Sequence, residues 1–232
     1  MIFIYINLNL WYNDSGGKDN MKKLLYVHGL GGSGNGRFAT ILRNNIDDCV
    51  VDAPEIPINP KEALGFVRDI ISKNEYDLVI GSSLGAYYLM YCGYMPKKFL
   101  VNPAVKAGEY IENFVGKGVQ KFNSVRNNGE EEYIIDDDFI SELKDMEYSF
   151  DEEDRLVIRC IVSVDDELFG KQNSENCIKK FHKRNVSIMH SSHRVEDEVI
   201  INEIIPKIKE FINEDIYCAP IMVGPYVDFE DE

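Results

Sequence analysis

The sequence predicts a three-layer α/β fold: a mostly parallel central sheet with helices on both faces and a small cap or lid insertion. Three observations carry that expectation. From Lys23 onward, short apolar runs of strand length alternate with amphipathic stretches of helix length, the pattern of a parallel sheet covered on both sides. Two of the strand-to-helix junctions are rich in glycine, His28–Gly36 and Gly81–Gly85. The chain has 232 residues, of which 44% are hydrophobic, enough for one sizeable core in a single domain.

In chain order, residues 1–20 differ in character from the rest of the chain. Met1–Tyr12 is apolar, but it is too short to span a bilayer and lacks the basic start and cleavage site of a signal peptide. It reads as an N-terminal extension, either an extra edge strand or a leader that the fold does not need. The domain is expected over 21–214. Leu24–Val27 is a buried strand, followed by the first glycine loop and a helix around Phe38–Asn45. Cys49–Asp52 is a strand, Ala53–Pro60 a loop, and Lys61–Lys73 a helix with Ala63, Phe66, Val67, Ile70 and Ile71 on one face. Leu78–Ile80 is a strand, Ala86–Tyr94 a helix, and Lys98–Val101 another strand.

The rhythm then breaks. Lys106–Asp154 holds two short helical patterns, an Asn127-Asn-Gly129 turn and three acidic runs, and reads as the lid. The acidic runs match no calcium loop and read as a solvated face. Inserted after a central strand, the lid is expected over the carboxyl ends of the strands. Alternation resumes with a strand at Leu156–Val162, a helix at Asn173–Lys183, a strand at Val186–Met189 and a closing helix at Glu196–Phe211. Residues 215–232 read as a tail.

Charge narrows the function. A net charge of -15 and a pI near 4.7 repel nucleic acid and anionic membrane at long range, so the expected partner is a small molecule. The five cysteines are scattered and form no C-x-x-C pair, which fits reduced thiols in the cytoplasm better than a disulfide framework or a zinc site. No metal or cofactor is expected, and oligomeric state is left open.

Gly81-Ser-Ser-Leu-Gly85 is G-x-S-x-G between a strand and a helix. Glycines there let the backbone turn sharply and leave Ser83 at the apex as the candidate nucleophile. A serine hydroxyl needs a base, and the base needs a carboxylate to hold its tautomer. In the α/β-hydrolase order the acid follows the penultimate strand and the histidine the last one. Asp165 and Asp166 occupy the first place, His190 and His193 the second. His193, in the loop before the last helix, is favoured over His190, which abuts the strand. The oxyanion donors are expected to be the backbone N–H groups of Leu84 and Leu30, with His28 shaping the loop that carries Leu30. Tyr110, Ile111, Phe114, Phe122 and Tyr133 are read either as an acyl pocket or as the lid's own core.

Two other classes are weighed. Gly29–Gly34 also fits G-x-G-x-x-G, with Asp52 placed as a ribose-binding acid, but a dinucleotide site leaves the serine, Asp166 and His193 loops unexplained. A catalytically silent binding protein on the same fold is the other alternative.

Together, His28-Gly29, Gly81–Tyr88, Asn102-Pro-Ala-Val105, Asp166-Glu167 and His193 resemble the YqiA/YcfP family of small bacterial α/β-hydrolase esterases over about Met21–Asn213. The resemblance implies an α/β-hydrolase fold, a cofactor-free serine esterase acting on acyl esters or thioesters, and a triad of Ser83, Asp166 and His193. It favours Asp166 over Asp165 because Glu167 follows directly. Asp165 stands where the family usually has glycine, and Ser191-Ser192 replaces its glycine-rich approach to the histidine.

Overall fold

The computed structural model describes residues 21–93, 96–146 and 155–215. Residues 1–20, most of the tail and the acidic run at 151–154 lie outside the described residues. The strands are β1 (Lys22–Val27), β2 (Cys49–Asp52), β3 (Leu78–Ser82), β4 (Lys97–Val101), β5 (Gly118–Lys121), β6 (Glu132–Ile135), β7 (Ile158–Ser163) and β8 (Val186–Met189). Six of them form one sheet in the order β2-β1-β3-β4-β7-β8, every neighbouring pair parallel. The strand order reverses at β1, which pairs with β2 on one side and β3 on the other. Ligand crevices in open α/β sheets form outside the strand ends at such a point.

Parallel strands buried on both faces need apolar side chains in both directions. Leu24 and Tyr26 of β1 point into one core with Leu78 and Ile80 of β3, while Leu25, Val27 and Val79 point into the other. The first core is closed by α1 (Arg37–Asn45) and by the final helical segment. That segment is α7 (Asp197–Val199), a π turn over Ile200–Ile204, and α8 (Ile205–Asn213). Pro206 has no N–H to give, and the widened turn just before it accommodates the missing bond. The second core is closed by α2 (Pro60–Lys73), α3 (Leu84–Leu89), α6 (Gly170–Phe181) and the lid helices α4 (Ala107–Tyr110) and α5 (Asp137–Lys144). The starts of α2 and α5 are capped by side chains: Asn59 accepts from Glu62 N at 3.0 Å and Asp136 from Phe139 N at 2.8 Å. Asp136, read from sequence as part of a solvated acidic run, therefore has a local role.

The lid contains an element the sequence pattern does not show: β5 and β6 pair antiparallel, Val119 opposite Ile134 and Gln120 opposite Tyr133. Each strand is four residues long, too short for alternation to register. The connection between them is laced to the first glycine loop, with Asn123 N donating to Gly31 O at 2.7 Å and Ser33 Oγ to Val125 O at 3.1 Å. From the other side, Tyr87 OH of α3 donates to Leu143 O of α5 at 2.8 Å. The lid is thus tied to the first glycine loop and to the helix that follows Ser83.

Helix α3 sits hard against β1. A Cβ on Gly85 would lie 2.1 Å from Val27 O, well inside contact distance, so only glycine permits this approach. Gly85→Ala is expected to lower stability by about 1–3 kcal/mol or more, measured by urea unfolding, because the obstructing atom is backbone.

Candidate active site

Ser83 lies between the last residue of β3 and the first of α3, with φ 51° and ψ -115°. Non-glycine residues seldom adopt such values, and holding one there costs about 1–3 kcal/mol. The surroundings over-determine it. Ser83 N donates to Val101 O at 2.9 Å, and Ser83 O accepts from Tyr87 N at 3.1 Å and Ala104 N at 3.3 Å. A Cβ on Gly81 would meet Ala86 Cα at 2.6 Å, so the flanking glycine admits the first turn of α3 and leaves the serine side chain projecting into the crevice.

The histidine and carboxylate come from the ends of β8 and β7. His193 Nε2 is 3.0 Å from Ser83 Oγ, and His193 Nδ1 is 2.8 Å from Asp166 Oδ2. The Asp166 side chain is fully buried, yet both of its oxygens are engaged: Oδ1 accepts from Leu168 N at 2.8 Å and Phe169 N at 2.9 Å. The same carboxylate therefore shapes the approach to α6 and faces the imidazole. Phe169 adds an edge contact to the His193 ring, 4.5 Å between centroids at 73°. Asp165 and His190 also pair, at 2.7 Å, but both are largely exposed, the His190 side chain at 79%. The two His/Asp choices left open by sequence form two separate pairs, of which one meets Ser83.

The loop bearing His193 is held by residues that sequence reasoning gave no role. Glu167 Oε2 accepts from His193 N at 2.8 Å, and Asn102 Oδ1 accepts from Ser163 N at 2.8 Å while its amide reaches His193 O at 3.4 Å. Ser163 Oγ bonds Ser191 O and accepts from Ser191 N at 3.1 Å. Ser191 Oγ bonds Glu196, and Arg37 reaches Asp197 and Val195 O. Hydrogen bonds led by that of Ser191 pull the Glu196 carboxyl down to about 2. Ser191, where the resembled family has a glycine-rich approach, thus uses its hydroxyl to set the loop. The signals in the sequence were Asn102-Pro-Ala-Val105 and Asp166-Glu167, both noted for their resemblance; Asn102 has φ 43°.

Leu30 and Leu84 both line the crevice with Ser83, and among the described residues neither backbone N–H is given to a protein acceptor. His28 does shape the loop: its Nε2 accepts from Ile56 N at 3.1 Å and its Nδ1 lies 2.9 Å from Gly29 O. Asp52 is taken up by Tyr76 OH at 3.0 Å and Lys23 at 3.2 Å. The crevice has a volume of about 410 Å³, and Tyr110, Ile111, Phe114 and Tyr133 of the lid line it together with His193. Phe122 does not; it packs on Tyr133, 4.8 Å between centroids. Among the described residues no cluster of His, Cys, Asp or Glu could hold a metal ion, and no helix is long and apolar enough to cross a membrane.

The uncharacterised protein family UPF0227 matches residues 23–213. The chain belongs to this family. It is the YqiA/YcfP-type family that the sequence resembles. Solved structures place this UPF0227 member in the α/β-hydrolase fold. Est1E from Butyrivibrio proteoclasticus with ferulic acid bound superposes with a TM-score of 0.60 at 10% identity, over 86% of this chain and 93% of that one. Mouse alpha/beta hydrolase domain-containing protein 10 gives 0.61 at 15% identity, over 84% and 91%. A pyrethroid hydrolase from Sphingobium faniae JZ-2 gives 0.58 at 11%, over 82% and 97%. At these identities the likeness is one of fold, shared by this UPF0227 member across nearly the full length of each.

The two carboxylates beside the site carry different structural loads. Asp166→Ala orphans two backbone N–H groups at the start of α6 and is expected to destabilise by about 1–3 kcal/mol, whereas Asp165→Ala on the surface should stay within about 0.5 kcal/mol. Paired urea titrations of the two variants measure the contrast.

Proposed function

We propose that this protein is a serine esterase that cleaves acyl esters or thioesters through an acyl-enzyme, without metal or cofactor. The observation that carries the reading is the continuous hydrogen-bonded chain from Ser83 Oγ through His193 to Asp166 Oδ2. With Nδ1–H of His193 donating to Asp166, the lone pair on Nε2 faces the serine hydroxyl, the tautomer a general base needs. Ser83 Oγ bonds to the acyl carbon as its proton passes to Nε2, and the carbonyl electron pair moves to oxygen. The N–H groups of Leu30 and Leu84 meet that oxyanion; one such donor is typically worth about 10²–10³ in rate. Collapse expels the alkoxide or thiolate, which takes the proton from His193. Water, deprotonated by the same imidazole, then releases the acid and restores Ser83.

The working unit in this reading is residues 21–214 with the lid at about 106–154, and its setting is the cytoplasm. Neighbours of the same fold with esterase or hydrolase in their names lend support without fixing a substrate. The stacked pair Tyr110 and Phe169, 4.5 Å between centroids and next to His193, offers a flat apolar wall on which an acyl chain or aromatic acyl group can rest.

Fluorophosphonate labelling and nitrophenyl ester hydrolysis by wild type and Ser83→Ala test the proposal. Both signals are expected in the wild type, with turnover in the variant down at least about 10³-fold and labelling absent. A folded wild type that neither labels nor turns over ester sinks the reading and favours a silent binding protein.

A further inference from the structure

The loop that carries Leu30 is not held by the sheet alone. Arg126, in the connection between β5 and β6, is only 6% exposed. Its Nη1 and Nη2 each donate to Ile56 O at 3.1 Å, its Nε faces Glu55 at 3.5 Å, and its guanidinium lies 4.8 Å from the centre of the Phe122 ring. The N–H of Ile56 donates in turn to His28 Nε2. Because Nε2 accepts, the hydrogen of the neutral ring sits on Nδ1 and is donated to Gly29 O. Gly29 precedes Leu30, and a Cβ on Gly29 would lie 3.1 Å from Ser83 Cβ. The relay therefore runs from the lid to the backbone directly over the serine.

We propose that Arg126 is a positioning residue: through Ile56 and His28 it holds the Leu30 N–H over Ser83, so that the lid helps to form the oxyanion hole. The proposal rests on the serine-esterase reading above. Arginine suits the task because its planar fork can seize one carbonyl with two donors while its charge answers a buried carboxylate. Glu55 needs that charge, since both of its oxygens are buried and accept no hydrogen bond among the described residues.

The charges around the relay give it a signature that packing alone lacks. His28 faces Glu55 at 3.8 Å, and Arg126 faces Glu55 and, at 3.7 Å, the half-exposed Glu130. Burial holds the His28 imidazole below its ordinary value and Arg126 adds to this, whereas the Gly29 carbonyl and Glu55 oppose it. Without Arg126, the Glu55 charge faces His28 unanswered and draws a proton onto Nε2. A protonated Nε2 no longer accepts from Ile56, so the relay breaks on the acid side.

The experiment compares wild type, Arg126→Gln, Arg126→Lys and the double variant Glu55→Gln/Arg126→Gln. The readouts are kcat and KM for 4-nitrophenyl butyrate across pH, and titration of the His28 ring by NMR. Arg126→Gln is expected to lose about 10–100-fold in kcat, a fraction of what a whole oxyanion donor supplies, with KM changed less than about twofold. Its activity should also fail at higher pH on the acid side, with His28 titrating upward in step. Lysine should restore the pH profile but only part of kcat, and Glu55→Gln in the double variant should return His28 toward its wild-type titration while kcat stays low. The double variant leaves no unpaired buried charge and carries the test if Arg126→Gln does not fold. Unchanged kcat in any folded variant lacking Arg126, or, in Arg126→Gln alone, a pH-independent loss with His28 unmoved, overturns the proposal and leaves the esterase reading standing. A wild type without ester turnover sinks both, and that is seen before any variant is measured.

Discussion

The structure depends on one constraint, the sharp reversal of the backbone at Ser83. A strand must hand over to a helix with no intervening loop, and the residue at the junction must take a left-handed φ while keeping a side chain. That is possible only where the next turn of helix can lie against its neighbours, which is why Gly81 and Gly85 make backbone-to-backbone approaches to Ala86 and to Val27 O. The strand order reverses beside this junction, so the end of β1 and the end of β3 open into the same crevice. The glycine loop, the serine and the lid all gather there for that reason.

A second level of organisation is polar. The ends of β4, β7 and β8 are joined by side chains as well as by the backbone bonds Asn102 N to Ile161 O and Val164 N to Met189 O: Asn102 bridges to Ser163 N and the His193 loop, and Ser163 bridges to Ser191. Buried groups of this kind must be satisfied nearly in full or they cost more than they give, and each one here has a named partner. Asp166 serves two ends at once, with one carboxylate capping a turn and facing an imidazole.

Much of this was legible in the sequence because it rests on local pattern. Short continuous apolar runs located the parallel strands, period-3.6 hydrophobicity located most helices, and the G-x-S-x-G spacing located the junction. The order of the acid and histidine loops along the chain left two residues open at each place, and in the structure it is His193 that bonds both Ser83 and Asp166. What escaped is set by contacts distant in sequence. The β5–β6 ribbon is too short to carry a period, and nothing near Arg126 announces that Ile56, seventy positions away, is its acceptor. Asn102 and Glu167 stood out only through the resemblance, and Glu196 only as the start of a helix, because their worth lies in which strand end they face. Helix ends shifted for local reasons: α3 begins at Leu84 because Ser83 itself is the turn.

The exposed pair of His190 and Asp165 sits beside the buried pair of His193 and Asp166 with nearly the same separation, 2.7 Å against 2.8 Å. A reagent that modifies imidazoles from solvent meets His190 first, since its side chain is 79% exposed against 11% for His193. Stoichiometric labelling of one histidine in this protein is therefore no measure of the crevice. The surface pair acts as a decoy to chemical footprinting, and only protection by an occupant of the cavity distinguishes the two.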